Sequence, residues 1–174
     1  MRVSDYFAEL FVAGRLADAG WNIYFPHRDQ GFDFIITKTI ESGEMLIRPV
    51  QVKGKYPTGE KGDQDVYGYV GALELHPEMV LAIPFFSHNS PAVPMHVAYM
   101  PVGTIKKHAR GYRCQPGRFE GGEPGPRDYH RTFFDEEGMR NLESLGFRDM
   151  RVAVTAAPCE DGPLQAADSI GEKR

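Results

Sequence analysis

Cysteine is scarce in this chain. The two cysteines, Cys114 and Cys159, lie far apart and form no C-x-x-C pair, and the six histidines show neither H-x-H nor H-x-x-x-H spacing. These absences argue against a zinc site. The simplest interpretation is a reduced, cytoplasmic protein, with a disulfide between the two cysteines as the alternative.

Long apolar runs are also missing. No stretch approaches the roughly 20 residues that a membrane-spanning helix needs. The segment 1–7 has no apolar core of signal-peptide length, because Asp5 interrupts it. We therefore expect no membrane partner. The sequence contains no P-loop, no G-x-G-x-x-G and no G-x-S-x-G, which removes the best-marked nucleotide-binding and serine-hydrolase classes.

Positive charge is not in excess. The chain has 20 Lys+Arg against 24 Asp+Glu, a formal charge of −4. A protein that holds long nucleic acid by charge alone is usually basic. The balance therefore argues against general coating of nucleic acid, and it leaves room for a local basic groove.

Apolar residues are sufficient for a folded core. Hydrophobic residues make up 41% of the 174 residues and aromatic residues 11%. This composition and length predict a single α/β domain over residues 1–156. The small and polar residues of 157–174 predict a disordered tail.

Two strands within residues 31–55 are the segment around which the chain is organised. Residues 32–38 and 46–53 are rich in apolar and β-branched side chains, and the turn 41–44 between them contains Ser and Gly. These features predict a β-hairpin.

Three polar side chains are predicted to meet on this hairpin. Side chains alternate between the faces of a strand, so Asp33 lies on the face opposite Phe34, and Gln51 and Lys53 share one face. With the strands in the expected register, a carboxylate, an amide oxygen and an ammonium converge. This combination is typical of a metal site that cleaves phosphate esters.

The other elements follow from helical spacing, strand patterns and Gly/Pro punctuation. Their order predicts a mixed central β-sheet flanked by helices. Residues 111–131 are crowded with Gly and Pro and are interpreted as a long loop or flap. The remaining elements are predicted as helices 5–19, 65–76 and 135–146, and as strands 21–26, 79–86, 95–102 and 150–154. Asp135 is expected to cap the last of these helices.

The first helix carries a carboxylate near its apolar side. Tyr6, Leu10, Ala13 and Ala17 follow helical spacing, and Glu9 is three residues after the first of them. Glu9 is therefore predicted at the edge of the buried face. It is either a solvated flanking residue or a ligand directed toward the sheet.

These residues together resemble the PD-(D/E)xK nuclease superfamily, which includes restriction endonucleases and Holliday-junction resolvases. The resemblance rests on Glu9 in the first helix, Asp33 on the second strand and Gln51-Val52-Lys53 on the third. It covers residues 4–86, and the extension 87–156 matches no known pattern. Phe32 stands where the motif has proline, and Gln51 replaces the second acid, so the site has one negative charge fewer.

The resemblance implies a restriction-endonuclease-like fold and a Mg²⁺-dependent (or Mn²⁺-dependent) endonuclease that hydrolyses DNA, including branched DNA. Glu9, Asp33 and Gln51 would hold the metal, and Lys53 would position the attacking water and stabilise the transition state. By analogy with resolvase-like relatives, a homodimer is expected. Candidate contacts to nucleic acid are Lys55, Lys61, Tyr67, Lys106, Lys107 and Arg110.

Other interpretations stay open at this point. Gln51 and the negative net charge also suit a non-catalytic module of nuclease fold that binds nucleic acid or a partner protein. The small acidic character is compatible with a structural or inhibitory partner. The basic run at 106–113 is either a groove or a solvated face, and Tyr67 either stacks on bases or packs within its helix.

Overall fold

The computed structural model describes residues 3–28, 31–57, 76–108 and 111–152. A five-stranded mixed β-sheet forms its centre, with strands in the order β1-β2-β3-β4-β5. The strands are β1 (Asn22–Tyr24), β2 (Phe34–Thr39), β3 (Met45–Val52), β4 (Val80–Phe85) and β5 (His96–Pro101).

The pairing of these strands confirms the predicted mixed sheet. Strands β1, β2 and β3 form an antiparallel meander, β3 and β4 are parallel, and β5 is antiparallel to β4. The hairpin of β2 and β3 pairs Phe34 with Val50 and Thr39 with Met45. Residues 65–75 of the predicted helix 65–76 lie outside the described residues, and residue 76 is not helical.

One face of the sheet is covered by two helices. Helix α1 (Val3–Asp18) buries Ala8, Val12 and Leu16 against β3 and β4. It ends at Gly20, whose positive φ of 87° allows the Trp21 N–H to donate back to the Leu16 carbonyl at 3.0 Å.

The second helix, α2 (Asp135–Asn141), belongs to the same apolar cluster as α1. Arg15 of α1 contacts Glu136 of α2 at 2.6 Å. The two α-helices of the described residues therefore lie together on one face of the sheet.

The other face of the sheet is covered at β4 and β5 by the chain that follows β5. The prediction of a long loop at 111–131 is wrong. After strand β6 (Lys106–His108), this segment forms strands β7 (Gly111–Arg113), β8 (Gly117–Glu120) and β9 (Glu123–Pro126), and it enters a 3-10 helix at Asp128–Phe133. Strands β6 and β7 form one antiparallel hairpin, and β8 and β9 form a second one.

The β8–β9 hairpin has a local cause. Gly121 and Gly122 form its two-residue turn with φ of 58° and 86°. Positive φ at both central residues is the geometry that matches the twist of paired strands. The buried Phe119 of this hairpin then packs on Phe85 of β4.

Two further predictions near the end of the domain are wrong. Asp135 does not cap α2, because its carboxylate reaches β5, accepting from the Val97 N–H at 2.9 Å and pairing with the His96 ring at 2.8 Å. Residues 150–152 are not in a strand, and 153–154 lie outside the described residues.

The contact between Asp135 and His96 predicts a pH-dependent stability. Burial alone would raise the pKa of the Asp135 carboxyl, but the hydrogen bonds from His96 and Val97 outweigh it and hold the pKa below its ordinary value. A depressed pKa means that the charged form stabilises the fold above the ordinary aspartate pKa of about 3.9. That contribution is lost as the pH falls through the lower pKa of the folded state.

We therefore expect Asp135→Asn to be less stable than the wild type near neutral pH, with the difference shrinking as both are acidified. Urea unfolding followed by circular dichroism at a series of pH values measures this. Glu137→Gln, an exposed change on the same helix, is the control. A difference between Asp135→Asn and wild type that stays constant into the acid range would show that the charge of Asp135 has no role.

Candidate functional site

Asp33 and Gln51 meet where β2 begins and β3 ends. The Asp33 carboxylate oxygen Oδ2 accepts from the Gln51 amide Nε2 at 2.9 Å and from the Val52 backbone N–H at 2.6 Å. Gln51 is buried, with 7% of its surface exposed, and Asp33 is half-buried. The predicted convergence of these two side chains is confirmed, and the backbone donor fixes the orientation of the carboxylate.

Lys53 and Lys55 continue the face of Gln51. Gln51 pairs with Leu81 of β4, and Lys55 bridges to Phe85, both of which belong to the apolar cluster on the second face. Because side chains alternate along an extended chain, Lys53 shares that face. The predicted common face of Gln51 and Lys53 therefore agrees with the register.

The backbone of the two lysines is fixed by β4. The Lys53 N–H donates to Ala82 at 2.9 Å, and the Lys55 N–H donates to Pro84 at 2.8 Å. Burial lowers the pKa of Lys55, and the neighbouring charge of Lys53 lowers it further. The two lysines therefore occupy fixed backbone positions at the end of β3, and the charge of one acts on the other.

Glu9 lies on helix α1, which passes close to the end of β3. Its neighbour Ala8 packs against Gly54, where an added Cβ would be 3.1 Å from the Ala8 Cβ. Glu9 itself is half-buried, as expected for the edge of the buried face. Helix α1 thus brings Glu9 beside the end of β3, and its role as a metal ligand with Asp33 stays a prediction.

The close approach of α1 at Gly54 predicts a cost for any larger side chain. An alanine Cβ there would also be 3.2 Å from the Tyr56 ring. We expect Gly54→Ala to lower the free energy of unfolding by about 1–3 kcal/mol, because helix and ring must both shift. Urea unfolding measures this.

Gly14→Ala is the matched control for that change. Gly14 lies on α1, the helix that approaches Gly54, and a Cβ added at Gly14 meets nothing within 4 Å. We expect it to stabilise the protein by up to about 1 kcal/mol, because alanine favours a helix more than glycine does. Equal effects of the two changes would contradict the proposed close contact.

An aromatic cluster that the sequence did not predict lies next to Gly54. Tyr56 stacks on Phe86 with ring centroids 4.3 Å apart, and the exposed Phe7 lies 6.2 Å from Phe86. Its members come from three distant parts of the chain. The spacing of aromatic residues in the sequence gives no sign of it.

The predicted nucleic-acid contacts divide into two groups. Lys106 and Lys107 are exposed on β6, and Lys55 is half-buried beside Lys53. Lys61, Tyr67 and the Arg110 side chain lie outside the described residues. The structure adds Arg113, which pairs with Lys106 across the β6–β7 hairpin.

The residues at the candidate site fit Mg²⁺ by the type of donor. Glu9 and Asp33 offer carboxylate oxygens and Gln51 an amide oxygen, which are the ligands that this cation prefers. The charge is low, however, and it is the Gln51 nitrogen that faces Asp33. Across residues 3–28, 31–57, 76–108 and 111–152, no three His, Cys, Asp or Glu side chains form a metal-binding group.

Comparison of the chain with models of protein families, with curated proteins and with solved structures found no match. A search of the helices among the described residues found none that has the length and apolar character needed to cross a membrane.

Proposed function

We propose that this chain is a Mg²⁺-dependent DNA endonuclease of the PD-(D/E)xK type, with a restriction-endonuclease-like core. The observation that carries the proposal is the hydrogen-bonded pair of Asp33 and Gln51, with Lys53 next on the same face. The acid lies just before the second strand of the sheet and the Q-x-K segment at the end of the third. That placement is the one that the resemblance implies.

Each residue has a distinct role in the proposed reaction. Asp33, oriented by the Val52 N–H, and Gln51 would hold the metal with Glu9, directly or through water. Mg²⁺, when bound, lowers the pKa of a coordinated water and offsets charge on the phosphate. The Lys53 ammonium would position that water and stabilise the charge that builds on the phosphate oxygens. Lys55 would hold an adjacent phosphate.

A cleavage panel tests this function. Protein freed of metal with EDTA is incubated with duplex, single-stranded and four-way-branched DNA and with RNA, in Mg²⁺, Mn²⁺ or EDTA. We expect DNA to be cut with Mg²⁺ or Mn²⁺ and to stay intact in EDTA. No cleavage of any substrate with either metal would overturn the proposal. Sedimentation of the same preparation tests the expected homodimer.

A second function is favoured by one observation. The Gln51 amide already satisfies Asp33 at 2.9 Å, and Gln51 is buried. Such a pair needs no cation to be stable. On this alternative, the chain is a non-catalytic module of the same fold that binds nucleic acid or a partner protein.

Gln51→Glu separates the two functions. The change would place a second carboxylate next to Asp33, and two carboxylates in contact repel each other unless a cation lies between them. If the chain is a nuclease, we expect the Gln51→Glu variant to bind Mg²⁺ more tightly than the wild type, on the order of tenfold, because an anion is added to the ligand set. Calorimetry measures this affinity.

Thermal unfolding of Gln51→Glu gives an independent result. For a metal site, the variant should be destabilised without metal and restored by Mg²⁺. Asn22→Asp, which also exchanges an amide for a carboxylate but on an exposed residue of β1, controls for the added charge. Destabilisation that Mg²⁺ does not reverse would favour the non-catalytic module.

A further inference from the structure

The two short hairpins that follow the sheet meet at their open ends. Lys106 and Arg113 pair at the open end of β6–β7. Residues 114–116 lead directly into β8, and Arg127, which follows β9, donates its backbone N–H to the Pro116 carbonyl at 2.8 Å. This meeting point, the hairpin junction, is defined by five polar residues: Lys106, Arg113, Gln115, Arg127 and His130.

The junction contains buried nitrogen atoms that lack hydrogen-bond partners. The Arg113 guanidinium donates to the Gln115 carbonyl oxygen, with Nε at 2.8 Å. The Gln115 Nε2 and the His130 Nδ1 are buried, and neither has a hydrogen-bond partner among the described residues. Buried polar atoms in native proteins are nearly always paired. The backbone links the two residues, because the Arg127 N–H donates to the Pro116 carbonyl and the His130 N–H donates to the Arg127 carbonyl, both at 2.8 Å. A ligand with acceptor oxygens at the junction would supply the missing partners.

The charges at the junction are of one sign. Burial, together with the positive charges of Arg127 and Lys106, lowers the pKa of His130 to about 4. The imidazole is therefore neutral at neutral pH, first because it is buried and second because two cations act on it. Among the aromatic pairs of the described residues, the His130 ring contacts the Tyr129 ring, with centroids 5.6 Å apart.

The surrounding segment is basic in a chain that is acidic overall. Residues 102–131 contain three acidic residues, Glu120, Glu123 and Asp128, against seven lysines and arginines, while the whole chain has a formal charge of −4. The seven are Lys106, Lys107, Arg110, Arg113, Arg118, Arg127 and Arg131. Positive charge is therefore in excess in this part of the sequence, which is the composition expected of an anion-binding segment.

We propose that the hairpin junction binds a phosphate group, held by Lys106 and Arg127 with His130 beside them. The proposal does not depend on the nuclease function, because none of its residues belongs to the Asp33–Gln51–Lys53 site. The phosphate is either part of a nucleic-acid backbone or a free anion. Both sources share the same chemistry, and the test below distinguishes them.

The test follows the His130 ring by NMR. Inorganic phosphate is added to the full chain in EDTA, with chloride at equal ionic strength as the reference, and His130→Gln assigns the signal. A phosphate between Lys106 and Arg127 would stabilise the imidazolium through its negative charge. We expect it to raise the pKa of His130 by about one unit or more, with saturable binding.

Two variants of exposed residues separate a contact at the junction from a general effect of net charge. Lys106→Gln should weaken phosphate binding by on the order of tenfold, because a cation of the junction is lost. Arg131→Gln removes the same charge next to His130 in sequence, but Arg131 pairs with Asp128 on the surface. It should bind phosphate like the wild type. Circular dichroism confirms that both variants are folded.

A short single-stranded oligonucleotide in EDTA identifies the source of the phosphate. If it shifts His130 at lower concentration than inorganic phosphate does, the site takes a nucleic-acid backbone. If only inorganic phosphate shifts it, the site takes a free anion. The proposal is overturned if phosphate and chloride have the same effect, or if Lys106→Gln and Arg131→Gln weaken binding equally.

Discussion

Lys53→Ala is expected to reduce metal-dependent DNA cleavage by about 10²–10³-fold or more, the loss typical of removing one group that stabilises charge in the transition state. Lys53 lies two residues after Gln51 on the same face, and its backbone N–H is held by Ala82 at 2.9 Å. The ammonium acts on water and phosphate and not on the cation. Mg²⁺ affinity measured by calorimetry should therefore stay within about twofold of the wild type.

Arg140→Ala is the control for Lys53→Ala. Arg140 is an exposed cation on α2, a helix that packs on the face of the sheet opposite to Lys53. We expect it to leave cleavage unchanged. If Lys53→Ala cleaves at the rate of the wild type, or if it loses Mg²⁺ binding together with cleavage, the role assigned to Lys53 is wrong.

Arg48→Met is expected to have the largest effect on stability, a loss of about 3–5 kcal/mol in the free energy of unfolding. Arg48 is 1% exposed, and its guanidinium contacts Glu78 at 2.6 Å. It also donates to the Leu142 carbonyl at 2.8 Å and to the Ser144 carbonyl at 2.7 Å. Methionine fills much of the space but leaves these acceptors without their donor.

The position of this arginine explains the size of the effect. Arg48 joins β3 and the start of β4 to the end of α2, and its guanidinium lies 4.9 Å from the Phe147 ring. Burial lowers its pKa, while the charge of Glu78 acts in the opposite direction. A buried charge of this kind is tolerated only when all its donors are paired, so the contacts act as one unit.

Arg148→Ala is the matched control. Arg148 contacts the same Glu78 at 3.2 Å, but its side chain is 53% exposed. Exposed ion pairs contribute little to stability, so we expect a change much smaller than that of Arg48→Met. Urea unfolding of both variants measures the difference. If the free energy of unfolding of Arg48→Met lies within about 1 kcal/mol of the wild type, the role assigned to Arg48 in joining these elements is wrong.

The sheet and the Asp33–Gln51 pair were predictable because both follow from local patterns. Alternation along residues 32–38 and 46–53 sets which side chains share a face, and a slip of one residue would expose Phe34 and Val50. Both are fully buried in the structure. The register that brings Asp33 to Gln51 is therefore dictated by the same apolar residues that form the core.

The hairpin at residues 117–126 was missed although its signal is present. The Gly121-Gly122 pair between strand-forming residues is a recognised two-residue turn. The density of Gly and Pro around it led to the interpretation as a loop. The alternation of buried Phe119 with exposed Arg118 and Glu120 is too short to stand out without its partner strand.

Other features depend on contacts between distant segments, which the sequence does not show. Spacing alone favoured Tyr6 and Leu10 as buried residues of α1, but Ala8 and Val12 are buried instead. Small side chains allow the helix to approach the sheet closely at Gly54. The burial of Arg48 likewise depends on carbonyl groups about a hundred residues later in the chain.

The most direct test of the proposed nuclease site is the cleavage of branched DNA by wild type and Asp33→Asn, purified in parallel. Asparagine keeps an acceptor for the Val52 N–H, which lies 2.6 Å from the carboxylate, and removes only the charge. We predict Mg²⁺-dependent cleavage by the wild type and its loss, by on the order of 10²-fold or more, in the variant. Cleavage by the wild type that persists unchanged in Asp33→Asn would contradict the account.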